Sequence, residues 1–127
     1  MNRLKLSNKE FDGIVKRAIS RIPREIRQEL DNILISVRKR PSRNMLEEMD
    51  LQPEEPLLGL YWGVPLDERS VSDPPTLPDT IYLFQEFLEE MCETMEELEE
   101  QIEITLVHEI AHAIGIRDDR LEELGYG

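Results

Sequence analysis

The chain has 127 residues, a length that suits one domain with a single modest core, and we expect one domain over residues 1–127. Its formal net charge of −13 argues against nucleic acid as a partner, because such binding depends on Lys and Arg that neutralise phosphates. No apolar run approaches the roughly 20 residues of a transmembrane helix, so we expect no contact with a membrane.

The N-terminal part is predicted to be helical and then extended. Ser7 and Glu10 have the spacing of a capping box, which predicts a helix over residues 7–20. A proline directly before residues 24–30 favours a second, short helix there. The β-branched residues of 32–37 predict the first strand.

The middle of the chain contains two more predicted strands, at residues 57–62 and 80–84. A turn is expected at residues 40–44. Residues 63–79, which include four prolines, separate the two strands and predict a loop that borders the functional site.

The C-terminal part is predicted to be helical. A short helix is expected over residues 86–92, and Thr94 with Glu97 has the spacing that begins a long helix, which extends to about Ile114. Another short helix is expected over residues 119–124. Strands and helices together predict the α+β class.

The long predicted helix carries the chain's only two histidines, His108 and His112, and Glu109 directly follows the first. Residues four apart lie on the same face of a helix, so the two imidazoles can bind one Zn²⁺ ion. Glu109 lies about 100° further round, where a carboxylate can contact a metal-bound water without ligating the metal. The pattern predicts a zinc hydrolase, and a peptidase is the activity that it favours most.

A third protein ligand is expected in the turn that follows this helix. Gly115 frees the backbone to turn back, and Asp118 is the first candidate because carboxylate oxygens bind zinc. Asp119, Glu122 and Glu123 remain alternatives, and Asp118 or Asp119 is also a candidate cap for the last short helix.

Three segments resemble one known family. The pattern H-E-x-x-H-x-x-G-x-x-D at residues 108–118, in a chain this short, resembles the minimal zincin-like family of small bacterial proteins regarded as zinc metallopeptidases. Residues 58–69 are similar to the family's L-G-L-Y-x-G-x-P-L-x-x-R segment, and residues 78–84 to its P-D-x-I-x-L-F strand. The similarity covers about residues 55–124 and implies a small mixed β-sheet backed by helices, with the zinc motif on the active-site helix.

The resemblance also implies roles for particular residues. His108, His112 and Asp118 correspond to the zinc ligands, and Glu109 corresponds to the catalytic glutamate. Trp62 departs from the family pattern, where a smaller or polar residue is common, and indicates an altered entrance to the site.

The expected partner is a peptide or protein substrate, bound in extended form along a sheet edge, for which the strand at residues 81–84 is the candidate. So short a chain implies a shallow groove or one completed by a partner protein. Tyr61, Tyr82 and Tyr126 are candidates for stabilising an oxyanion. The oligomeric state and the choice of zinc over another divalent metal stay open.

Two other functions remain open. The first is a zinc-binding scaffold or regulatory protein with little or no hydrolysis; the presence of Glu109 argues against it, because a structural zinc site needs no base. The second is a different metal hydrolase, such as an amidase or nuclease, and the acidic surface argues against the nuclease.

Charge and cysteine content bear on partners and compartment. Residues 70–116 contain twelve acids and no Lys or Arg, whereas residues 1–40 contain eleven bases and five acids. We expect these faces to be solvated and to pair with one another, although the basic part is also able to approach an anionic partner. Cys92 cannot form an internal disulfide and is expected to be a small apolar residue, which fits a cytoplasmic protein, as does the absence of an apolar signal segment.

Overall fold

A computed structural model describes residues 4–63 and 79–126, and this part of the chain contains six α-helices and three β-strands. In chain order these are α1 (Asn8–Arg21), α2 (Arg24–Arg27), β1 (Leu34–Arg38), α3 (Arg43–Met49), β2 (Gly59–Trp62), β3 (Thr80–Phe84), α4 (Gln85–Met91), α5 (Met95–Ile114) and α6 (Asp118–Glu123). The small mixed sheet with its helices confirms the predicted α+β class and minimal zincin-like core.

The three strands form one sheet in the order β1-β3-β2. β1 runs parallel to β3 with Leu34 opposite Thr80, and β2 runs antiparallel to β3 with Gly59 opposite Leu83. The prediction that residues 81–84 form a sheet edge is therefore wrong, because β3 lies in the middle. Both faces of β3 carry mostly apolar residues, and a strand that is buried on both faces favours a central position in the sheet.

The main core lies between one face of the sheet and the two long helices. Ile81 and Leu83 of β3 are fully buried there, together with Leu106 and Ile110 of α5 and Phe11 of α1. Apolar residues at helical spacing on α5 thus pack against both the sheet and α1, which fixes the orientation of the helix before any functional residue is considered.

The opposite face of the sheet carries a second, smaller apolar cluster, formed by Met45, Leu60, Phe84 and Phe87. Met45 belongs to α3, a helix that the sequence analysis missed by expecting only a turn. The available signal was Ser42, whose hydroxyl accepts a hydrogen bond from the Met45 N–H at 3.2 Å and so begins the helix.

The predicted helix starts are confirmed at the two longest helices. Ser7 and Glu10 form the reciprocal bonds of a capping box at α1, and the Thr94 hydroxyl accepts the Glu97 N–H at α5. The helix predicted over residues 24–30 is α-helical only to Arg27 and continues as a 3-10 helix over Gln28–Asn32.

Cys92 is 3% exposed between α4 and α5, and burial raises the pKa of its thiol to about 11. A protonated thiol in an apolar setting is a packing residue, as expected. The loop predicted to border the site lies largely outside the described residues. Among the helices that are described, none combines the length and apolar character that crossing a membrane requires.

Candidate metal centre

The zinc motif lies on the last two turns of α5. His108 and Glu109 are half-buried, whereas His112 is exposed. Gly115 ends the helix with a φ of 78°, a left-handed conformation that side chains with a Cβ rarely adopt. The chain then turns, and the Ile116 N–H bonds the Ala111 carbonyl at 2.9 Å.

The turn delivers Asp118 as the first residue of α6. Arg117 is the N-cap of this helix and makes no side-chain cap bond, so neither Asp118 nor Asp119 caps it. Asp119 accepts instead from the Arg120 N–H at 2.9 Å. Asp118 is exposed, and its carboxylate stays available to the space beside α5.

Three of the predicted site residues line one open pocket of about 300 Å³, whose walls are His108, His112, Asp118, Leu121, Glu122 and Tyr126. Of the alternative third ligands, Glu122 lines this pocket, whereas Asp119 and Glu123 do not. Two imidazoles with one or two carboxylates are donors that suit zinc, so the chemistry of the pocket fits the ion.

The donors share a pocket without converging on one point. Within residues 4–63 and 79–126, no three side chains of His, Cys, Asp or Glu are placed to hold a metal ion. One reason is visible at His108, whose Nε2 lies 3.0 Å from the main-chain carbonyl oxygen of Tyr126. The ligand set His108, His112 and Asp118 therefore stays a prediction.

Glu109 is held by the sheet. Its Oε1 accepts a hydrogen bond of 2.8 Å from the Tyr61 N–H, which points away from β3 at the outer edge of β2. Burial raises the pKa of Glu109, and the Tyr61 N–H, His112 and His108 oppose that rise. The carboxylate thus occupies a defined position beside both histidines.

A family model described as zincin-like metallopeptidase matches residues 30–127, which is more than half of the chain. The chain belongs to the zincin-like metallopeptidase family. The match begins well before the region of similarity noted in the sequence, and the family supports zinc in general as the cofactor. A search of curated proteins finds no match to this chain.

In this zincin-like metallopeptidase, close contact between β2 and α5 brings Glu109 to the strand. A Cβ added to Gly59 would lie 2.6 Å from Cγ2 of Thr105 and 3.1 Å from the Tyr82 carbonyl oxygen. No larger residue fits there without moving the strand away from the helix. The glycine was quoted in the sequence as part of a motif, but its steric role was missed.

The three tyrosines considered for an oxyanion have different surroundings. The Tyr61 hydroxyl donates to Asp79 Oδ2 at 2.5 Å, an interaction that the sequence analysis missed. Tyr82 stacks on Phe84 and packs against the smaller apolar cluster, so it lies away from the pocket. Only Tyr126 of the three lines the pocket.

Tyr126 is anchored to the buried half of α5. Its hydroxyl donates to Glu103, a buried carboxylate that also pairs with Arg21 Nε at 3.0 Å. Burial, followed by the bond to Glu103, raises the pKa of the Tyr126 hydroxyl. The C-terminal segment is thereby held against the pocket wall in this zincin-like metallopeptidase.

Proposed function

We propose that the protein is a zinc-dependent peptidase in which His108, His112 and Asp118 hold the zinc ion and Glu109 is the general base. The observation that carries the proposal is the hydrogen bond from the Tyr61 N–H, which fixes Glu109 beside the histidines at the edge of the sheet. Membership of a metallopeptidase family supports the same reaction class.

The two oxygens of Glu109 have different tasks. Bound zinc supplies an activated water and a Lewis acid for the substrate carbonyl. Oε1 of Glu109 is held by Tyr61, while Oε2 has no hydrogen bond among the described residues. Oε2 is therefore the oxygen that accepts the proton of the water and passes it to the leaving amine.

The substrate is proposed to bind as an extended peptide along the outer edge of β2. In this strand the peptide group of Gly59 points away from β3, because the register leaves those of Leu60 and Trp62 to pair with it. The Tyr61 N–H also points outward but is donated to Glu109, so the added peptide is proposed to pair with Gly59. A peptide added at that edge passes directly beside Glu109. The edge at β2 thus takes the place of the one predicted at β3.

The first experiment is metal analysis of the purified protein by elemental mass spectrometry. We expect about one zinc per chain in the wild type, and loss of zinc in His108→Ala, His112→Ala and Asp118→Ala. Asp119→Ala is the matched control, because Asp119 lies next to Asp118 but does not line the pocket. Retention of zinc in Asp118→Ala, with loss in Glu122→Ala, would move the third ligand to Glu122.

A second experiment tests hydrolysis itself with a peptide library read by mass spectrometry. Cleavage by the zinc-loaded protein, absent from Glu109→Gln loaded with the same amount of zinc, supports the peptidase. A protein that carries zinc but cleaves nothing would contradict it.

One observation favours the scaffold as the second candidate. Glu122 lines the same pocket and is able to supply a fourth protein ligand, which would close the site as in structural zinc centres. In that case Glu122→Ala weakens zinc binding as strongly as Asp118→Ala, and Glu109→Gln changes nothing.

A further inference from the structure

The outer edge of β1 carries peptide groups that pair with no described strand. The Leu34 N–H bonds the Asp79 carbonyl at 2.9 Å, so Leu34, Ser36 and Arg38 direct their peptide groups towards β3. Those of Ile35 and Val37 point the other way, and β1 is the last strand on that side among residues 4–63 and 79–126. An open edge of this kind is a template for another strand.

An open groove of about 520 Å³ is lined by residues 35–39 of this edge. Ile35 and Val37 of the strand line it together with Asn8 and Asp12 of α1. The groove therefore offers both main-chain partners and a space beside them, which a bare sheet edge on a flat surface does not.

The described residues that line the groove have a positive charge balance. Arg38 and Lys39 line it against a single acid, Asp12. Arg40, the next base along the chain, does not add to this balance because it pairs with Glu86 and Glu90. An acidic segment is therefore attracted to Arg38 and Lys39, whereas the net charge of −13 of the whole chain disfavours its binding elsewhere.

Leu34 adds an apolar contact at the start of the strand, where it is 53% exposed. A large apolar side chain beside an open edge gains burial when a second strand is added. One kind of ligand fits all four features, namely the open edge, the groove, the basic residues and Leu34. It is an extended segment with acidic and apolar side chains.

We propose that the edge of β1 is a docking site for an extended, acidic polypeptide segment, which adds a fourth strand to the sheet. This site lies at the opposite edge of the sheet from the one that contacts Glu109, because β3 separates β1 from β2. It is a second peptide-binding edge, independent of the proposed hydrolysis, and serves to hold a protein partner.

The probe is a fluorescein-labelled peptide of six alternating Val and Thr residues with two Glu at each end, added to the full chain. Its binding is measured by fluorescence anisotropy, beside the same strand flanked by Lys and an acidic version with Pro at the centre. We expect the Glu-flanked strand to bind at least about tenfold more tightly than either control peptide, and less tightly as salt is raised.

Two variants test the site on the protein. Val37→Pro removes one outward N–H at a position where an edge strand tolerates proline, and Arg38→Glu with Lys39→Glu reverses the local charge. Each is expected to weaken binding about tenfold. Arg24→Glu with Arg43→Glu is the matched control, because it makes the same change in net charge at exposed residues that do not line the groove. It is expected to change binding less than about twofold, because exposed charges that do not contact the peptide are largely screened.

Amide hydrogen exchange locates the bound strand. The peptide is expected to slow exchange at Ile35 and Val37, the outward-facing amides of β1. Slower exchange at Gly59 and Tyr61 alone would place the peptide at β2 and overturn the proposal. Equal binding of the Lys-flanked strand would overturn it as well. A dimer in light scattering that excludes the peptide would show that a second copy of the chain occupies the edge instead.

Discussion

The two sides of the candidate centre are built differently. On the base side, Glu109 is half-buried and bonded to the Tyr61 N–H, and β2 contacts α5 so closely that Gly59 admits no side chain. On the ligand side, His112 and Asp118 are exposed, and the turn between them depends on the backbone of Gly115.

The fold alone places only one of these two sides. Packing of α5 on the sheet fixes Glu109, since the helix and the strand are both held by the main core. The carboxylate of Asp118 has no such support, so its final position would depend on the proposed zinc ion. The largest expected effects come from replacing Glu109 and from adding zinc.

Glu109→Gln is expected to have the largest effect on activity. The amide keeps the size of the side chain but cannot accept a proton, so hydrolysis should fall about 10²- to 10⁴-fold. Zinc content should not change, because Glu109 is not a proposed ligand. Peptide cleavage and metal analysis are measured on the same sample. Glu100→Gln, on the exposed part of α5, is the control and should keep full activity. If Glu109→Gln were as active as the wild type, Glu109 would not be the general base.

Zinc is expected to stabilise the ligand side more than the base side. At free zinc 100 times above its Kd, the free energy of unfolding should rise by about 2.7 kcal/mol, observed as a higher Tm. Hydrogen exchange should slow chiefly in α6 and much less at Gly59 and Tyr61. His108→Ala should abolish the response. Equal slowing on both sides would contradict the contrast.

The sequence predicts the secondary structure around the site, but it does not predict which group holds Glu109. The strands and the long helix follow from local patterns, namely β-branched runs and the Thr94 cap. The partner of Glu109 does not, because Tyr61 lies 48 residues away and acts through its backbone N–H, which no side chain identifies.

The order of the strands was also beyond local patterns. A strand with both faces apolar, such as Thr80–Phe84, reads as buried, but its neighbours are set by tertiary packing. The sequence could likewise name Asp118 as a ligand, but it could not show that Glu122 shares the pocket while Asp119 does not.

Gly59→Ala tests the base side without altering a chemical group. The new methyl overlaps Thr105, so β2 must move from α5, and stability should fall by about 2 kcal/mol. The same movement lengthens the bond between Tyr61 and Glu109, and activity should fall while zinc remains bound. Gly13→Ala is the matched control, because an added Cβ meets nothing within 4 Å in the middle of α1. It should leave activity unchanged and slightly raise stability, measured by urea denaturation.

Gly115→Ala tests the ligand side and should have the smallest effect on stability. A Cβ at Gly115 meets nothing within 4 Å, so the cost comes only from the φ of 78° and should be about 1 kcal/mol. Relief of that strain shifts the turn that carries Asp118, so we expect zinc affinity to fall severalfold while the contact between Tyr61 and Glu109 persists. Gly115→Asn should recover part of both losses, because asparagine tolerates the left-handed conformation better than alanine. If zinc affinity stays unchanged in Gly115→Ala, while stability falls as expected, the turn does not position a ligand and Asp118 loses its assignment.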